Sequence, residues 1–354
     1  MSLPRHGGDL ARAVQHYGGR AEQWLDLSTG IAPYSWPAEK YLSQAPASCW
    51  QDLPAEPLHR ACRDAVAQYY GARLRSLTAG NTVLAAGSQA IIQQLPFFFA
   101  SDVFAKPLTE LHIWCLAGSY GEHEYRWQQA GARLQHKTAA QLREALTSNQ
   151  PLPDILLLVN PDNPSGLCWS TAEIVAWQRR LAAQQSWLII DAAFIDALAE
   201  AGTETPLAVT ANTLMLTSIG KFFGLAGLRL GAALLDERLA EALVSRLGPW
   251  PVSGLSLWLA TRALQDRHWQ QQQHQRLEGI SQQLLEACVG LPLIGSTRLF
   301  ITFEHPEVAV WQQQLAQQKI WTRCFVRQQR LRIGMPQQPD VTRLLGGLNS
   351  LYKH

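Results

Sequence analysis

Lys221 is the residue of this chain best suited by its surroundings to covalent chemistry. It lies in Thr217-Ser218-Ile219-Gly220-Lys221-Phe222-Phe223-Gly224, where glycines and two phenylalanines suit a partly desolvated pocket. Burial disfavours an ammonium, so such a lysine is a better nucleophile toward an aldehyde. The segment is not a P-loop, because Phe222 follows the lysine instead of Ser or Thr and Met215 occupies the upstream glycine position. Three further stretches carry polar groups at predicted strand ends. Ile189-Ile190-Asp191 closes an apolar run on a carboxylate, which is costly there unless it meets a cation such as a protonated ring nitrogen. Asn160-Pro161-Asp162-Asn163-Pro164-Ser165-Gly166 follows another such run, at the carboxyl edge where open α/β sheets bind ligands. Ala86-Gly87-Ser88-Gln89-Ala90 leads from a strand into a helix, leaving amides at a positive helix end that suits phosphate. Each has an ordinary structural alternative: a surface lysine, an N-cap aspartate, a proline turn, a plain strand-to-helix turn.

The elements that must carry these residues follow from the apolar pattern. Short β-branched and apolar runs predict strands at 82–86, 112–117, 155–160, 187–191, 214–218 and 228–234, alternating with helix-like stretches as in a doubly wound α/β sheet. The unbroken apolar character of 155–159 and 188–190 is that of central parallel strands covered on both faces. Ser170-Thr171-Ala172-Glu173 is a capping box opening a helix to about Gln184. After the breaker cluster Gly248-Pro249-Trp250-Pro251 the pattern predicts a long helical stretch of about 35 residues, strands at 298–303 and 331–333, and helices at 306–318 and 341–352. We therefore expect an arm with part of a small domain over 1–49, a large α/β domain over 50–248 and a small α+β domain over 249–354.

With 354 residues the chain can bury a sizeable core. Thirty Lys and Arg against 28 Asp and Glu leave a formal charge of +2, which argues against nucleic acid as a partner. Cys49, Cys62, Cys115, Cys168, Cys288 and Cys324 show neither a C-x-x-C pair nor the spacing of a zinc site, so reduced thiols, a cytoplasmic setting and no metal are expected. The first ten residues lack the apolar core of a signal peptide and no run suits a membrane span. The glutamines at 270–273 are expected on a solvated helix face, and the 13 tryptophans in packing gaps.

Taken in order, the Ser88 turn, the Asn-Pro-x-Asn-Pro-x-Gly segment, Asp191, Ser218-x-x-Lys221 and Arg229 resemble the aspartate-aminotransferase-like, fold-type-I pyridoxal-phosphate enzymes. The resemblance implies pyridoxal 5'-phosphate as cofactor, joined as a Schiff base to Lys221 and serving as the electron sink. It further implies Asp191 on the pyridine nitrogen and Asn163 on the ring hydroxyl. Ser88, Gln89, Ser218 and Arg229 would hold the phosphate, and Tyr120 would stack on the ring. Arg332, in Leu331-Arg332-Ile333-Gly334, falls where the family grips a substrate carboxylate.

The chain ends narrow the resemblance. Arg5-His6-Gly7-Gly8-Asp9-Leu10, Trp24-Leu25-Asp26-Leu27-Ser28-Thr29-Gly30 and Ile320-Trp321-Thr322-Arg323-Cys324 are similar to threonine-phosphate decarboxylases of cobalamin biosynthesis, relatives of histidinol-phosphate aminotransferases. That family implies a cytoplasmic homodimer converting L-threonine O-3-phosphate to (R)-1-amino-2-propanol O-2-phosphate, with His6, Arg323 and Arg332 binding the small phosphorylated substrate. Ala32 and Phe194 depart from the asparagine and tyrosine common in aminotransferases, and the second departure favours decarboxylation. An aminotransferase acting on histidinol phosphate is the alternative. A non-catalytic cofactor-binding regulator is remote, since no basic helix-turn-helix precedes the fold.

Overall fold

The computed structural model describes residues 6–71, 74–75, 77–198, 207–208 and 211–351. Arg5 of the opening motif and Tyr352 of the expected last helix lie outside them. The large sheet is built from β1 (Thr82–Ala85), β2 (His112–Leu116), β3 (Arg133–Lys137), β4 (Ile155–Val159), β5 (Trp187–Asp191), β6 (Thr213–Ser218) and β7 (Gly231–Leu234). Its spatial order is β1-β7-β6-β5-β4-β2-β3. β7 alone runs antiparallel to the other six strands. The apolar runs alternate between two cores. Leu156, Leu158, Leu188 and Ile190 join one face, and Ile155, Leu157, Trp187 and Ile189 join the other. This period of two under helices on both faces is why the runs read as continuously apolar.

The register brings the strand ends to one edge. Val159 lies opposite Asp191, and Gly231 lies opposite both Ser218 and Ala85. The expected strand at 228–234 begins only at Gly231, because Ala226–Leu228 forms a 3-10 turn and Arg229 is left-handed.

The second sheet comprises β8 (Leu293–Thr297), β9 (Phe300–Glu304), β10 (Arg323–Phe325) and β11 (Arg330–Gly334) in the antiparallel order β8-β9-β11-β10. Helices Val308–Gln317 and Val341–Ser350 pack on it with Leu27 of the arm. The arm is tied down elsewhere too: Leu25–Asp26 pairs in parallel with Ile320–Trp321, and Gly334 N donates to Leu27 O.

One expectation is refined and one corrected. The long helical stretch consists of two helices, Gly254–Gln265 and Arg267–Ala287. Asp266 divides them, its Oδ1 capping the second through Trp269 N and its Oδ2 accepting from Trp36 Nε1. The glutamines at 270–273 do not all face solvent: Gln273 is fully buried and Gln270 nearly so. Gln270 Nε2 satisfies the terminal carbonyls of Ala263 and Leu264, while Gln273 Nε2 donates to Tyr34 O and Phe222 O.

Candidate active site

The loops at the shared edge of the large sheet assemble a corner suited to an anion. After β1 the chain turns through Gly87, at φ 78°, into helix Ser88–Phe98, which no side chain caps. The first-turn amides of Ser88 and Gln89 therefore lie at an open positive end. A Cβ on Gly87 would stand 2.6 Å from Arg229 Nη2, and one on Gly231 would collide with the Ser88 amide nitrogen. Both glycines are needed so that the helix end, β7 and Arg229 can close on one another. Ser218 ends β6 opposite Gly231. Ser88, Gln89, Ser218 and Arg229 are thus brought to one corner. Gln89 offers this corner only its backbone, since its side chain donates to Glu122 Oε2.

Beside this corner Asp191 is 3% exposed at the end of β5. Its Oδ1 accepts from Ala193 N at 3.1 Å and its Oδ2 lies 2.9 Å from Nε2 of the buried His123. A buried carboxylate so held can stabilise one more cation, the role expected of it toward a ring nitrogen. Tyr120 opens helix Gly121–Gln129 with its ring 6.0 Å from that of His123. Burial, with Asp191 and Glu122 nearby, pushes its phenol well above the usual range. Asn163 Oδ1 accepts from Arg332 Nη1 at 2.6 Å. A guanidinium only donates, so this contact fixes the amide orientation and turns the asparagine NH2 away as a donor.

Lys221 sits on a braced loop. Ala32 N donates to Lys221 O and Trp36 N to Phe223 O, with the Gln273 amide between them on Phe222 O. Its Nζ stands 5.4 Å from the Phe194 ring centroid. Desolvation, reinforced by Arg332 and Arg229 and opposed by Asp191, lowers the amine's pKa to about 8. A useful fraction is therefore neutral near physiological pH, as a nucleophile or proton carrier requires. Pyridoxal phosphate fits these residues: an anion corner, a carboxylate for the ring nitrogen, a donor for the hydroxyl, an aromatic face and an amine for the aldehyde.

The expected substrate residues divide. Arg332, 6% exposed on β11, also donates through Nη2 to Ser28 O at 2.8 Å. Burial and the neighbouring charge of Arg323 lower its pKa to about 10. Its Nε is buried without a partner, so its hydrogen bonding is incomplete in a way an incoming carboxylate could mend. His6 and Arg323 instead line a separate cavity of about 200 Å³ with Ser28, Trp321 and Arg12. His6 Nε2 lies 3.0 Å from Glu122 Oε1, and Arg323 Nη1 reaches His6 O at 3.4 Å. Sequence reasoning missed His123, Glu122, Gly87 and Ser28. His123 lies three residues after the expected Tyr120, but no spacing marks it as the partner of a residue 68 positions on.

Residues 24–348 match the family aminotransferase class I and II. This chain belongs to that family. It is 38% identical to a threonine-phosphate decarboxylase of Pseudomonas aeruginosa, over 94% of this chain and 92% of that one. A threonine-phosphate decarboxylase of a Sinorhizobium species is 33% identical over 92% of this chain and 91% of its own. Among solved structures, the histidinol-phosphate aminotransferase of Sinorhizobium meliloti in complex with pyridoxal-5'-phosphate superposes with a TM-score of 0.79 at 18% identity. That superposition covers 99% of this chain and 96% of the other, and it bears on the fold alone.

Proposed function

We propose that this chain is a pyridoxal-phosphate-dependent carboxy-lyase that releases CO2 from L-threonine O-3-phosphate and leaves (R)-1-amino-2-propanol O-2-phosphate. The observation that carries the reading is a pair of anion anchors side by side: the buried Arg332 and, across Ser28, the cavity holding His6 and Arg323. The two threonine-phosphate decarboxylase relatives support it. In this reading residues 50–248 hold the cofactor, while the arm and residues 249–354 shape the substrate side.

When bound, pyridoxal phosphate supplies an electron sink that weakens whichever Cα bond stands perpendicular to its ring. The chain's own residues choose that bond. Arg332 grips the carboxylate as a fork, and His6 with Arg323 draws the phosphate toward the arm. Two fixed anchors leave one rotation about Cα, and the decarboxylase requires the one that stands Cα–COO⁻ upright. Asp191, backed by His123, holds the proton on the ring nitrogen. Once CO2 has left, Cα takes up a proton, and Lys221 at a pKa of about 8 is our candidate donor. Phe194, 3% exposed against Phe300, offers no hydroxyl to the site.

The test incubates the holoenzyme with phosphothreonine and quantifies CO2 and aminopropanol phosphate beside keto-acid-dependent amino transfer. Stoichiometric CO2 and amine are expected. Efficient amino transfer without CO2 would overturn the reading in favour of a histidinol-phosphate-type aminotransferase.

A further inference from the structure

We infer that Asp162 is a positioning residue whose buried carboxylate locks the Tyr120 turn to the Asn163 turn, fixing the gap between the aromatic face and the hydroxyl donor of the cofactor ring. The inference rests on the cofactor reading above, not on the identity of the substrate. Asp162 is 0% exposed, and its carboxylate hydrogen-bonds to Ser119 and Ser165, neither of which is assigned to cofactor or substrate. Tyr120 beside Ser119 and Asn163 beside Asp162 are so assigned. Oδ1 accepts from the hydroxyl of Ser119, which directly precedes Tyr120 and lies 43 positions away in the chain. Oδ2 accepts from Ser165 Oγ at 2.5 Å and from Ser165 N at 3.2 Å. Its backbone closes the same turn, Asp162 N donating to Leu167 O and Gly166 N to Asp162 O.

A local turn would need only the contacts to Ser165. The bond to Ser119 is a long-range link between two loops, and it costs a buried carboxylate. Burial raises the Asp162 carboxyl, and the Ser119 and Ser165 hydroxyls oppose that rise. The same turn is held from the small sheet as well. Thr302 Oγ1 donates to Pro164 O at 2.5 Å, and Arg332 Nη1 binds Asn163 Oδ1. Thr302 and Arg332 face each other across β9 and β11. Asn163 is therefore clasped between Asp162 on the Tyr120 side and Arg332 on the substrate side. A shift at Asp162 would move the ring's aromatic and hydroxyl contacts relative to each other while leaving the phosphate corner and Lys221 untouched.

The experiment compares wild type, Ser119→Ala and Asp162→Asn as holoenzymes at saturating pyridoxal phosphate. Visible circular dichroism per bound cofactor reports ring orientation without substrate, and kcat and KM are measured separately. Ser119→Ala is expected to bind cofactor stoichiometrically and unfold near the wild-type temperature. It should lose roughly half the dichroism and about fivefold to tenfold in kcat, with KM within about twofold. Asp162→Asn, which can still pair with one serine on each oxygen or nitrogen, should fall between the two. Wild-type dichroism and kcat in both variants would overturn the inference, as would losses that track only the unfolded fraction. Should Asp162→Asn fail to fold, Ser119→Ala decides. Absence of dichroism in the wild type would sink the cofactor reading, whereas a strong signal without CO2 release would sink only the substrate reading.

Discussion

The two halves of the site are built in opposite ways. On the proposed cofactor side, Asp191 and Ser218 end, and Ser88 and Lys221 follow, strands of one seven-stranded sheet whose register sets their spacing. On the proposed substrate side, segments more than 300 positions apart must meet: Ser28 with Arg332, and His6 with Arg323. The extremes of exposure lie one on each side, 3% at Asp191 and 53% for the His6 side chain, although Ser28 on the substrate side is buried and Arg229 on the cofactor side is exposed. A group whose pKa and aim must be constant belongs on a rigid, dry element, whereas a group that selects a substrate can sit on a segment free to adjust. Arg332 belongs to both halves, being buried like the first and mounted on the small sheet like the second.

The strongest challenge to this contrast is Lys221→Ala. A reaction carried by the rigid half should lose about 10⁴-fold or more in kcat when its nucleophile is removed. The phosphate corner should still retain the cofactor, but borohydride should no longer fix it to the chain. Activity within tenfold of wild type would remove Lys221 from the centre of the site.

Arg332 tests the boundary between the halves. Arg332→Met should lower kcat/KM for phosphothreonine by about 10²-fold, the scale for removing one partner of a desolvated charged contact. It should also change Lys221. A neighbouring cation disfavours the ammonium, so its loss raises the pKa, and the amine becomes neutral only at higher pH. In cofactor-free protein, the initial rate at which Lys221 captures the aldehyde of pyridoxal phosphate should therefore have its midpoint above about 8. Arg332→Lys keeps the charge and should leave that midpoint in place while still losing the fork. Equal midpoints in all three proteins would mean that burial alone sets the Lys221 amine.

What the sequence made legible follows the same division. Lys221, Asp191 and Asn163 could be picked out as candidates because each ends or borders a run whose apolar period is dictated by two cores, whereas Arg229 entered only through the family resemblance. In the two larger sheets the strands that went unseen are β3, β8 and β10, and each lies at a sheet edge. Arg133–Lys137, largely exposed, shows why: an edge strand needs no apolar face and can carry charge instead. The carboxylate partners were hidden for another reason. His123 and Asp162 matter through contacts 68 and 43 positions away, and no local spacing encodes such a meeting. Gln273 was misread outright, because a run of glutamines carries no helix-face signal until the neighbouring helices are in place.

His6 should give the smallest effect, and its surroundings say why. Its imidazole lies 3.0 Å from Glu122, which is itself buried. Removing a histidine from a buried carboxylate would usually be costly, because the remaining charge is left unpaired. Here Gln89 Nε2 donates to the other oxygen of Glu122, with Arg126 Nε 3.5 Å from it, so His6→Ala leaves no orphan. The solvent-facing side of the imidazole adds little, because exposed ionic contacts are screened and weak. We therefore expect His6→Ala to raise KM for phosphothreonine by no more than about fivefold, on the scale of exposed ion pairs, with kcat and cofactor dichroism unchanged. The difference from wild type should shrink as salt is added. A hundredfold loss that persists in high salt would instead make the arm no less essential to the chemistry than the sheet edge, and the contrast between a fixed half and an adjustable one would fail at its most exposed residue.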